Sequence, residues 1–457
     1  MGRRGEGSGR ARPGFLVDLT PLRRYPAFRQ LWLGYLLNTL GSQLTVVAVP
    51  YEVFQATHSS LQVGLVSLAQ LGGLLLGSLA GGVVADHLDR RRLLLVSQLL
   101  LAATSAGLAL NAVGEGSLWA IYLCSGAAAA LSGVSGSTRA ALVVRLVDRE
   151  AIVSANALWQ LLFQISVVIG PSIAGALLGR IGLAPLYGID AATFLATVVT
   201  VLRLPPLGAA EGGGAGISLR SFAEGMRYLR REKVLQATYL IDLNAMVFGM
   251  PRALFPALAL ERYHAGTAVL GLLYAAPGAG ALFVAVFTGW ATRVRRQGAA
   301  VLVAVTIWGG AIAAFGVVRA LWAGLLCLAV AGAADVISAI FRGTILQVEA
   351  PAELRGRVQG VQFAVVAGGP RLGDVESALV AGGFGLEASV VSGGLACLLG
   401  VALLAWRMPV FARYETSLGG PAADVSSESG THARSREPAG GLAGFGSPPG
   451  GDEVVGG

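Results

Sequence analysis

Only 13% of the 457 residues carry a charged side chain, whereas 54% are hydrophobic and the mean hydropathy is +0.67. Because soluble domains carry about 25% charged residues, this composition excludes an ordinary water-soluble protein. The net charge of +8 comes from arginine clusters between apolar segments and not from a continuous basic domain, which argues against nucleic acid as a partner.

Twelve apolar segments follow one another along the chain, and each is long enough for a spanning helix, which needs roughly 20 residues. They are residues 29–53, 61–85, 93–113, 118–140, 154–178, 184–203, 234–259, 268–291, 299–318, 321–343, 358–382 and 387–407. The sequence therefore predicts an all-α integral membrane protein whose 12 transmembrane helices form two pseudo-symmetric six-helix bundles.

The composition between and beyond these segments predicts the domain boundaries. A polar N-terminal tail (1–27) precedes the first bundle (28–203), and a linker (204–233) separates it from the second bundle (234–407). Apolar residues recur at helical spacing near the end of the linker, which predicts an amphipathic helix on the membrane surface. The last segment (408–457) is rich in Gly, Ser, Pro and Glu, which predicts a disordered tail.

Basic residues are abundant in alternate loops. The loops of one set contain only Arg180, Arg262 and Arg319. The loops of the other set, with the segments flanking the first and last spans, contain Arg23, Arg24, Arg29, Arg90, Arg91, Arg92, Arg145, Arg149, Arg220, Arg227, Arg230, Arg231, Lys233, Arg293, Arg295, Arg296, Arg355, Arg357, Arg407 and Arg413. The positive-inside rule places this second set and both termini in the cytoplasm. We therefore expect a multi-pass protein of the cytoplasmic membrane.

The two halves of the sequence resemble each other. A glycine-started segment followed by arginines lies between spans 2 and 3 (82–92) and again between spans 8 and 9 (289–296). Spans 4 and 10 each end in an arginine that precedes a glutamate by eleven residues. These pairs are Arg139 with Glu150 and Arg342 with Glu353. The matches favour an internal duplication, which is a recurring plan among transporters.

The loop after span 2 resembles the G-x-x-x-D-[RK]-x-G-[RK]-[RK] signature of the major facilitator superfamily. It matches at Gly82, Asp86, Arg90 and Arg91, and departs at His87 and Asp89. The resemblance implies a cytoplasmic gate in which Asp86 pairs with charges at neighbouring helix ends. The expected partners are Arg139 and Glu150, and Arg342 and Glu353 are expected to do likewise in the second half. The alternative is that these residues only anchor the loop on the cytoplasmic side.

Span 5 contains Gly170, Pro171 and Gly175, which are similar to the G-P-x-x-x-G core of a motif common in exporters of that superfamily. The alternative role of this motif is close helix packing.

Four longer stretches resemble the enterobactin-exporter and macrolide-efflux branch, and the likeness covers roughly residues 25–410. They are Phe28–Gly34, Met250–Pro256, Leu273–Pro277 and Glu353–Arg357. The resemblance implies proton-antiport-like efflux of a small amphipathic molecule.

Charged residues inside the predicted spans are candidates for function, because an unpaired charge is costly there. They are Asp190, Asp242, Arg252, Asp335, Arg371, Asp374 and Glu376. A proton-coupled exporter needs a carboxylate that binds either a proton or the cargo. Asp242 and Asp335 are the first candidates because the resembled fold places spans 7 and 10 beside the cavity. Asp374 and Glu376 follow. Asp335 also shares a helix face with Arg342, so a purely structural ion pair is the alternative.

Amide and aromatic side chains in spans 1, 7 and 8 suit an amphipathic cargo. These cavity-wall candidates are Asn38, Gln43, Asn244, Phe248 and Tyr274. The alternative is that they form hydrogen bonds between helices.

The expected function is proton-coupled export of a siderophore, a macrolide-like antibiotic or a similar drug. Two alternatives stay open, namely an importer or lipid-like transporter of the same fold and a non-transporting sensor or scaffold. The chain has no P-loop and no H-E-x-x-H motif. We therefore expect no enzymatic activity, no cofactor and no metal site. The expected partners are the lipid bilayer, the cargo and protons, and the chain is expected to be a monomer.

Overall fold

A computed structural model describes residues 18–87, 89–114, 116–203, 219–287, 294–351 and 353–415, which form helices and connecting turns without a strand. The predicted tails lie outside these ranges up to residue 17 and from residue 416, as does the linker from 204 to 218. Within the helices, some side chains also lie outside the described part, including those of residues 79–88, Arg90 and Arg139.

The described residues of the first half form seven α-helices. The short α1 (Thr20–Arg24) leads into six long helices, which are α2 (Pro26–Thr57), α3 (Ser60–His87), α4 (Arg90–Val113), α5 (Leu118–Leu146), α6 (Ile152–Ile181) and α7 (Leu183–Leu202). A 3₁₀ turn over Arg149–Ala151 precedes α6.

The second half begins with the linker helix α8 (Leu219–Leu229) and the broken segment made of α9 (Lys233–Phe248) and α10 (Phe255–Ala257). It continues through α11 (Thr267–Val286), α12 (Gln297–Val317), α13 (Leu321–Glu349), α14 (Arg355–Phe384), α15 (Leu386–Arg407) and the short α16 (Pro409–Ala412). We call the side where α2 begins and α15 ends the tail side, and the opposite side the far side.

Length and apolarity qualify 10 of the described helices to cross a membrane. Two other helices are long enough, since α2 has 32 residues and α14 has 30, but they are more polar than the rest. The polar residues of α14 include Arg371, Asp374 and Glu376, and those of α2 include Asn38 and Gln43. These are the helices that carry several of the candidate functional residues.

The two halves meet along two pairs of helices, α3 with α14 and α6 with α11. A Cβ added at Gly64 of α3 would lie 2.7 Å from Cβ of Ala378 in α14. One added at Gly175 of α6 would lie 2.8 Å from Cα of Gly271 in α11. Small residues let helix backbones approach closely where no hydrophobic force acts between helices. These contacts lie toward the far side, so the halves are joined tightly there.

Glycines also join helices within the first half. Gly73 and Gly77 of α3 face the backbone of Gly126 and Ala130 in α5 so closely that neither position has room for a side chain. These two glycines of α3 therefore serve close packing.

The seventh predicted span, over 234–259, lies within Lys233–Arg262, which is one of the ten segments long and apolar enough to cross a membrane, but its helix is not continuous. α9 ends at Phe248, because Pro251 has no N–H to continue the helical hydrogen bonds. A 3₁₀ turn over Arg252–Leu254 and a π-helical turn over Leu258–Arg262 follow. The indole N–H of Trp308 donates to the carbonyl of Gly249 at 2.8 Å, which satisfies one of the backbone groups at the break.

The described end of the linker contains α8, which packs against the tail-side end of α14. Arg357 pairs with Glu224 at 2.8 Å, and Gly225 lies against the Arg357 backbone. Leu229 is only 4% exposed. One face of α8 is therefore covered by the second half.

A substitution at the α6–α11 crossing tests this packing. Gly175→Ala should destabilise the protein by about 1–3 kcal/mol, because the added methyl group meets backbone that cannot move independently. The matched control is Gly188→Ala in α7, where no atom lies within 4 Å of the added Cβ. The control should be neutral or stabilising, since alanine is the better helix former. Thermal unfolding in detergent measures both, and equal unfolding temperatures would contradict the assignment.

Candidate functional site

A central cavity of about 320 Å³ lies between the two halves. The first half lines it mainly with small polar and apolar side chains. Its hydroxyl-bearing residues are Ser42, Thr45, Ser67, Thr104, Ser105, Ser125 and Ser132. The second half contributes Arg252, Tyr274, Arg371 and Asp374. A mostly apolar pocket with a few polar groups is the usual form of a small-molecule site.

Asp374 joins three segments at one end of this cavity. Its Oδ2 accepts a hydrogen bond from Ser67 of α3 at 2.7 Å, across the two halves. Its Oδ1 accepts from the backbone N–H of Ala253 at 2.9 Å. That N–H lies where the chain resumes a helical turn after the break, so it has no partner within a preceding helix. Asp374 thus ties the broken segment to both halves on the far side.

A second cavity, of about 390 Å³, lies toward the tail side among α9, α13 and α14. On its wall Asp242 forms an ion pair with Arg342 and accepts a hydrogen bond from Gln362 at 3.1 Å. Asp335 lies 3.6 Å from Arg342. The side chain of Asp242 is fully buried, and those of Arg342 and Asp335 are 5% and 32% exposed. One guanidinium therefore serves two carboxylates, of which Asp335 is the more accessible.

The predicted gating residues separate into two groups. Arg342 contacts Asp242 and Asp335, and among the described contacts none joins it to Glu353, which is exposed. The reason is that Arg342 lies two turns before the end of α13 and faces the bundle interior. Glu150 is also exposed. The side chains of Asp86, Arg90 and Arg139, and the surroundings of Gly82, lie outside the described part.

Residues 89–92 at the end of the loop signature explain why aspartate stands at position 89, where the signature has glycine. Asp89 is the N-cap of α4 and accepts from the backbone N–H groups of Arg91 and Arg92 at 2.8 and 3.1 Å. Such a cap satisfies N–H groups that the first helical turn leaves free. Arg91 donates to the carbonyls of Val201 and Leu202, at 3.2 and 2.6 Å, and so joins α4 to the end of α7.

Gly170 and Pro171 of the span 5 motif are buried at helix crossings. A side chain at Gly170 would meet Gln43 of α2, and the carbonyl of Pro171 lies against Gly271 of α11. Together with the Gly175 contact, these crossings link α6 to α2 and to the second half.

Of the five predicted cavity-wall residues, Tyr274 lines the central cavity. Its hydroxyl donates to the carbonyl of Arg252 at 3.2 Å. The others pack between helices of their own half. Asn38 donates to Gln98 at 2.9 Å, Asn244 donates to the carbonyl of Cys397 at 2.9 Å, Gln43 covers Gly170, and Phe248 lies against Gly393. Glu376 is half-buried in α14.

Two carboxylates of the first half are buried, of which Asp190 was noted as an intramembrane charge but not chosen for proton coupling, and Glu52 was not noted. Glu52 is 8% exposed and accepts a hydrogen bond from Tyr187 at 2.5 Å. Asp190 is 2% exposed and lines the central cavity. A carboxylate in the apolar run 184–203 is the signal that points to Asp190. Glu52 lies at the end of a predicted span, where a charged residue is ordinary.

Comparisons with known proteins agree with this architecture. The model of a family described as transmembrane secretion effector matches residues 17–425. The enterobactin exporter EntS of Citrobacter koseri is 32% identical over 375 residues, which span 82% of this chain and 89% of that protein. The corresponding protein of Shigella boydii is 31% identical over 391 residues, which span 85% and 92%.

Solved structures share the fold. A bacterial homologue of the human lysosomal transporter Spinster, in an inward-facing and unoccupied conformation, superposes with a TM-score of 0.64 at 14% identity. The match covers 85% of this chain and 96% of that one. The nucleoside transporter NupG gives a TM-score of 0.64 at 15% identity and covers 85% and 100%.

Breaking the buried ion pair should be costly. Asp242→Asn leaves the buried Arg342 with only the more distant Asp335, and we expect a loss of about 3–5 kcal/mol of stability. The control is Glu415→Gln, which removes the exposed pair with Arg296 at 2.9 Å and should cost about 0–1 kcal/mol. Thermal unfolding in detergent compares the two variants. Equal losses would show that Arg342 does not depend on Asp242.

Proposed function

The chain belongs to the transmembrane secretion effector family of major facilitator transporters, and on this premise we propose that it exports a small amphipathic molecule in exchange for protons. It is a multi-pass membrane protein, and its family consists of transporters and not of enzymes. The observation that carries the proposal is the central cavity, whose walls come from both halves. A site between two rigid bundles can open to one side when the halves rock against each other.

We propose that the cycle is alternating access and that the described conformation is closed on the far side. The support is the position of the contacts between halves, at Gly64, Ser67, Gly175, Gly271 and Asp374. In an exporter the far side must open to release cargo, so these contacts have to separate in each cycle. On the tail side, Asp86 with Arg90, Arg91, Arg139 and Glu150 would form the opposing gate.

We propose that the tail side is cytoplasmic and that α2 and α14 cross the membrane with the ten more apolar helices. This gives 12 spans, two bundles over 28–203 and 234–407, and both termini in the cytoplasm. The arginine-rich loops support this orientation. Burial of Asn38 and proximity of Asp374 to the opposite half support a place for both polar helices inside the bundle. The transporter is proposed to work as a monomer.

The proposed cargo is a siderophore-like or macrolide-like molecule with both polar and apolar surface. Two curated relatives are named enterobactin exporters, which supports the siderophore class. The cavity walls combine hydroxyl groups with Arg252 and Arg371. Hydroxyl and guanidinium groups can bind the oxygen atoms of such a cargo.

Among the carboxylates of the second half, we propose that Asp335 exchanges its proton during the cycle. It shares Arg342 with Asp242 but is more exposed, and it lines the tail-side cavity. Asp242 would hold Arg342 in place, and Asp374 would hold the far side closed. Glu376 lies two residues after Asp374 on α14, and its role in proton exchange is a proposal of the same kind.

Proton movement in inverted membrane vesicles tests the export proposal. Macrolides, catecholate siderophores and lipophilic dyes are added in turn after a pH gradient is established. At least one compound should dissipate the gradient with the native protein, and Asp86→Asn should abolish most of that effect at equal protein amount. If no compound acts on folded native protein across the panel, proton-coupled export is rejected, and the importer and sensor alternatives become stronger.

A reversible cross-link tests closure of the far side. Gly64→Cys and Ala378→Cys, in a protein whose three native cysteines are replaced, should form a disulfide when the two helices move apart by about 1 Å, because the Cβ positions lie 2.7 Å apart and a disulfide needs about 3.5–4.5 Å. Cross-linked protein should lose export, and a reductant should restore it. Each single-cysteine variant is the control. Full export by the cross-linked protein would contradict the requirement that this contact opens.

A further inference from the structure

Asp190 has an unusual set of neighbours at the wall of the central cavity. It lies in α7, 2% exposed, and both of its side-chain donors bind the same oxygen. Thr45 of α2 donates to Oδ2 at 2.6 Å, and Ser105 of α4 donates to Oδ2 at 2.8 Å. The other oxygen, Oδ1, is buried and has no hydrogen-bond partner among the residues that the structure describes.

No positively charged group in the described ranges forms an ion pair with Asp190. The other cavity carboxylates are compensated. Asp242 and Asp335 share Arg342, and Asp374 accepts from a backbone N–H and from Ser67. An ionised Asp190 would therefore be an isolated charge inside the bundle, and no described protein group donates to one of its oxygens. That arrangement is costly, whereas the neutral acid carries no net charge to bury.

The two hydroxyl donors act in the opposite direction, because hydrogen bonds to a carboxylate stabilise its charged form. The ionised form is thus accessible although it lacks a cation. A carboxyl group balanced between burial and hydroxyl donors can gain and lose a proton as its surroundings change. Its position on the cavity wall lets water reach it when either side of the transporter opens.

We propose that Asp190 is a proton-binding site of the transport cycle, located in the half opposite to the Asp242–Arg342 pair. This inference rests on the proposed proton-coupled export and adds a second protonation site to it. The proton would bind when Asp190 faces the more acidic compartment and leave when it faces the other.

The ionisable groups around Asp190 are few. On α7 the nearest is Tyr187, whose hydroxyl is occupied by Glu52 of α2. The other ionisable residues on α2 are Arg29, Tyr35 and Tyr51, and α4 has none from Leu93 to Val113. On α6 there is only Arg180, which is exposed at the far end. Across the cavity lie Arg252, Arg371 and Asp374. Glu52 is the acidic group whose charge would couple most directly to Asp190, through Tyr187.

Asp190→Asn separates proton coupling from cargo binding. In inverted vesicles, cargo-driven proton movement should fall by about tenfold or more, because an amide does not bind a proton at neutral pH. Exchange of labelled for unlabelled cargo without a gradient should continue, since the amide can still accept from Thr45 and Ser105. Asp190→Glu should restore part of the proton movement. Loss of cargo exchange together with proton movement, in folded protein, would instead indicate a purely structural residue and overturn the proposal.

Thr45→Val provides a test that keeps the carboxyl group. Removal of one donor disfavours the ionised form, so the pH of half-maximal export should shift upward by about one unit. The control is Thr39→Val on the same helix, where the hydroxyl donates only to the carbonyl of Tyr35 at 2.7 Å. Its pH profile should match that of the native protein. Identical profiles for both variants would contradict a proton site at Asp190.

Failure of the inference and failure of the proposed function give different results. If native protein moves no protons with any cargo, the proposed function is rejected and this inference falls with it. If native protein couples protons to cargo and Asp190→Asn couples them equally well, only the site at Asp190 is rejected.

Discussion

A charge inside a membrane-embedded bundle needs a partner or a proton, and this constraint explains how the polar residues are arranged. Arg342 is compensated by Asp242 and Asp335, and Asp374 by a backbone N–H at the helix break and by Ser67. Within the described part of the chain, the side chain of Asp190 has only hydroxyl donors. These three arrangements differ in how easily the contact or the protonation state can change. A buried ion pair is stable, a hydroxyl contact between halves can open, and an unpaired carboxyl group can change its protonation.

These polar contacts depend on close packing of the helices. Where helices are surrounded by lipid, close packing of small residues replaces the hydrophobic force that drives association in water. The glycines at the α3–α14 and α6–α11 crossings bring backbones together on the far side. The broken segment after Phe248 brings the N–H of Ala253 to Asp374. The same carboxylate accepts from Ser67, so it contacts both the opposite half and the broken segment. α14 thus carries contacts between the halves as well as Arg371 and Asp374 of the central cavity.

Hydropathy and loop charge predicted the helices well, because apolar length is the main signal in a membrane protein. The break in the seventh segment was not predicted, because a single proline, Pro251, does not reveal whether a helix bends or stops. Sequence placed Asp335 and Arg342 on one face, and they lie 3.6 Å apart. The same reasoning did not predict the contact of Arg342 with Asp242, because the direction in which Arg342 faces depends on tertiary packing. The sequence showed Asp190 as an intramembrane charge. It could not show that no described cation pairs with Asp190, because that depends on how α2, α4 and α7 pack together.

The central claim is that the two sides of this transporter open alternately, with the far side closed in the described conformation. Distances between spin labels measure this directly, with labels at Leu61 and Gly382 on the far side and at Glu150 and Glu353 on the tail side. A proton gradient with bound cargo should lengthen the far-side distance and shorten the tail-side distance in the same sample. If both distances lengthen together, or if neither changes while cargo is exported, alternating access between these two halves is contradicted.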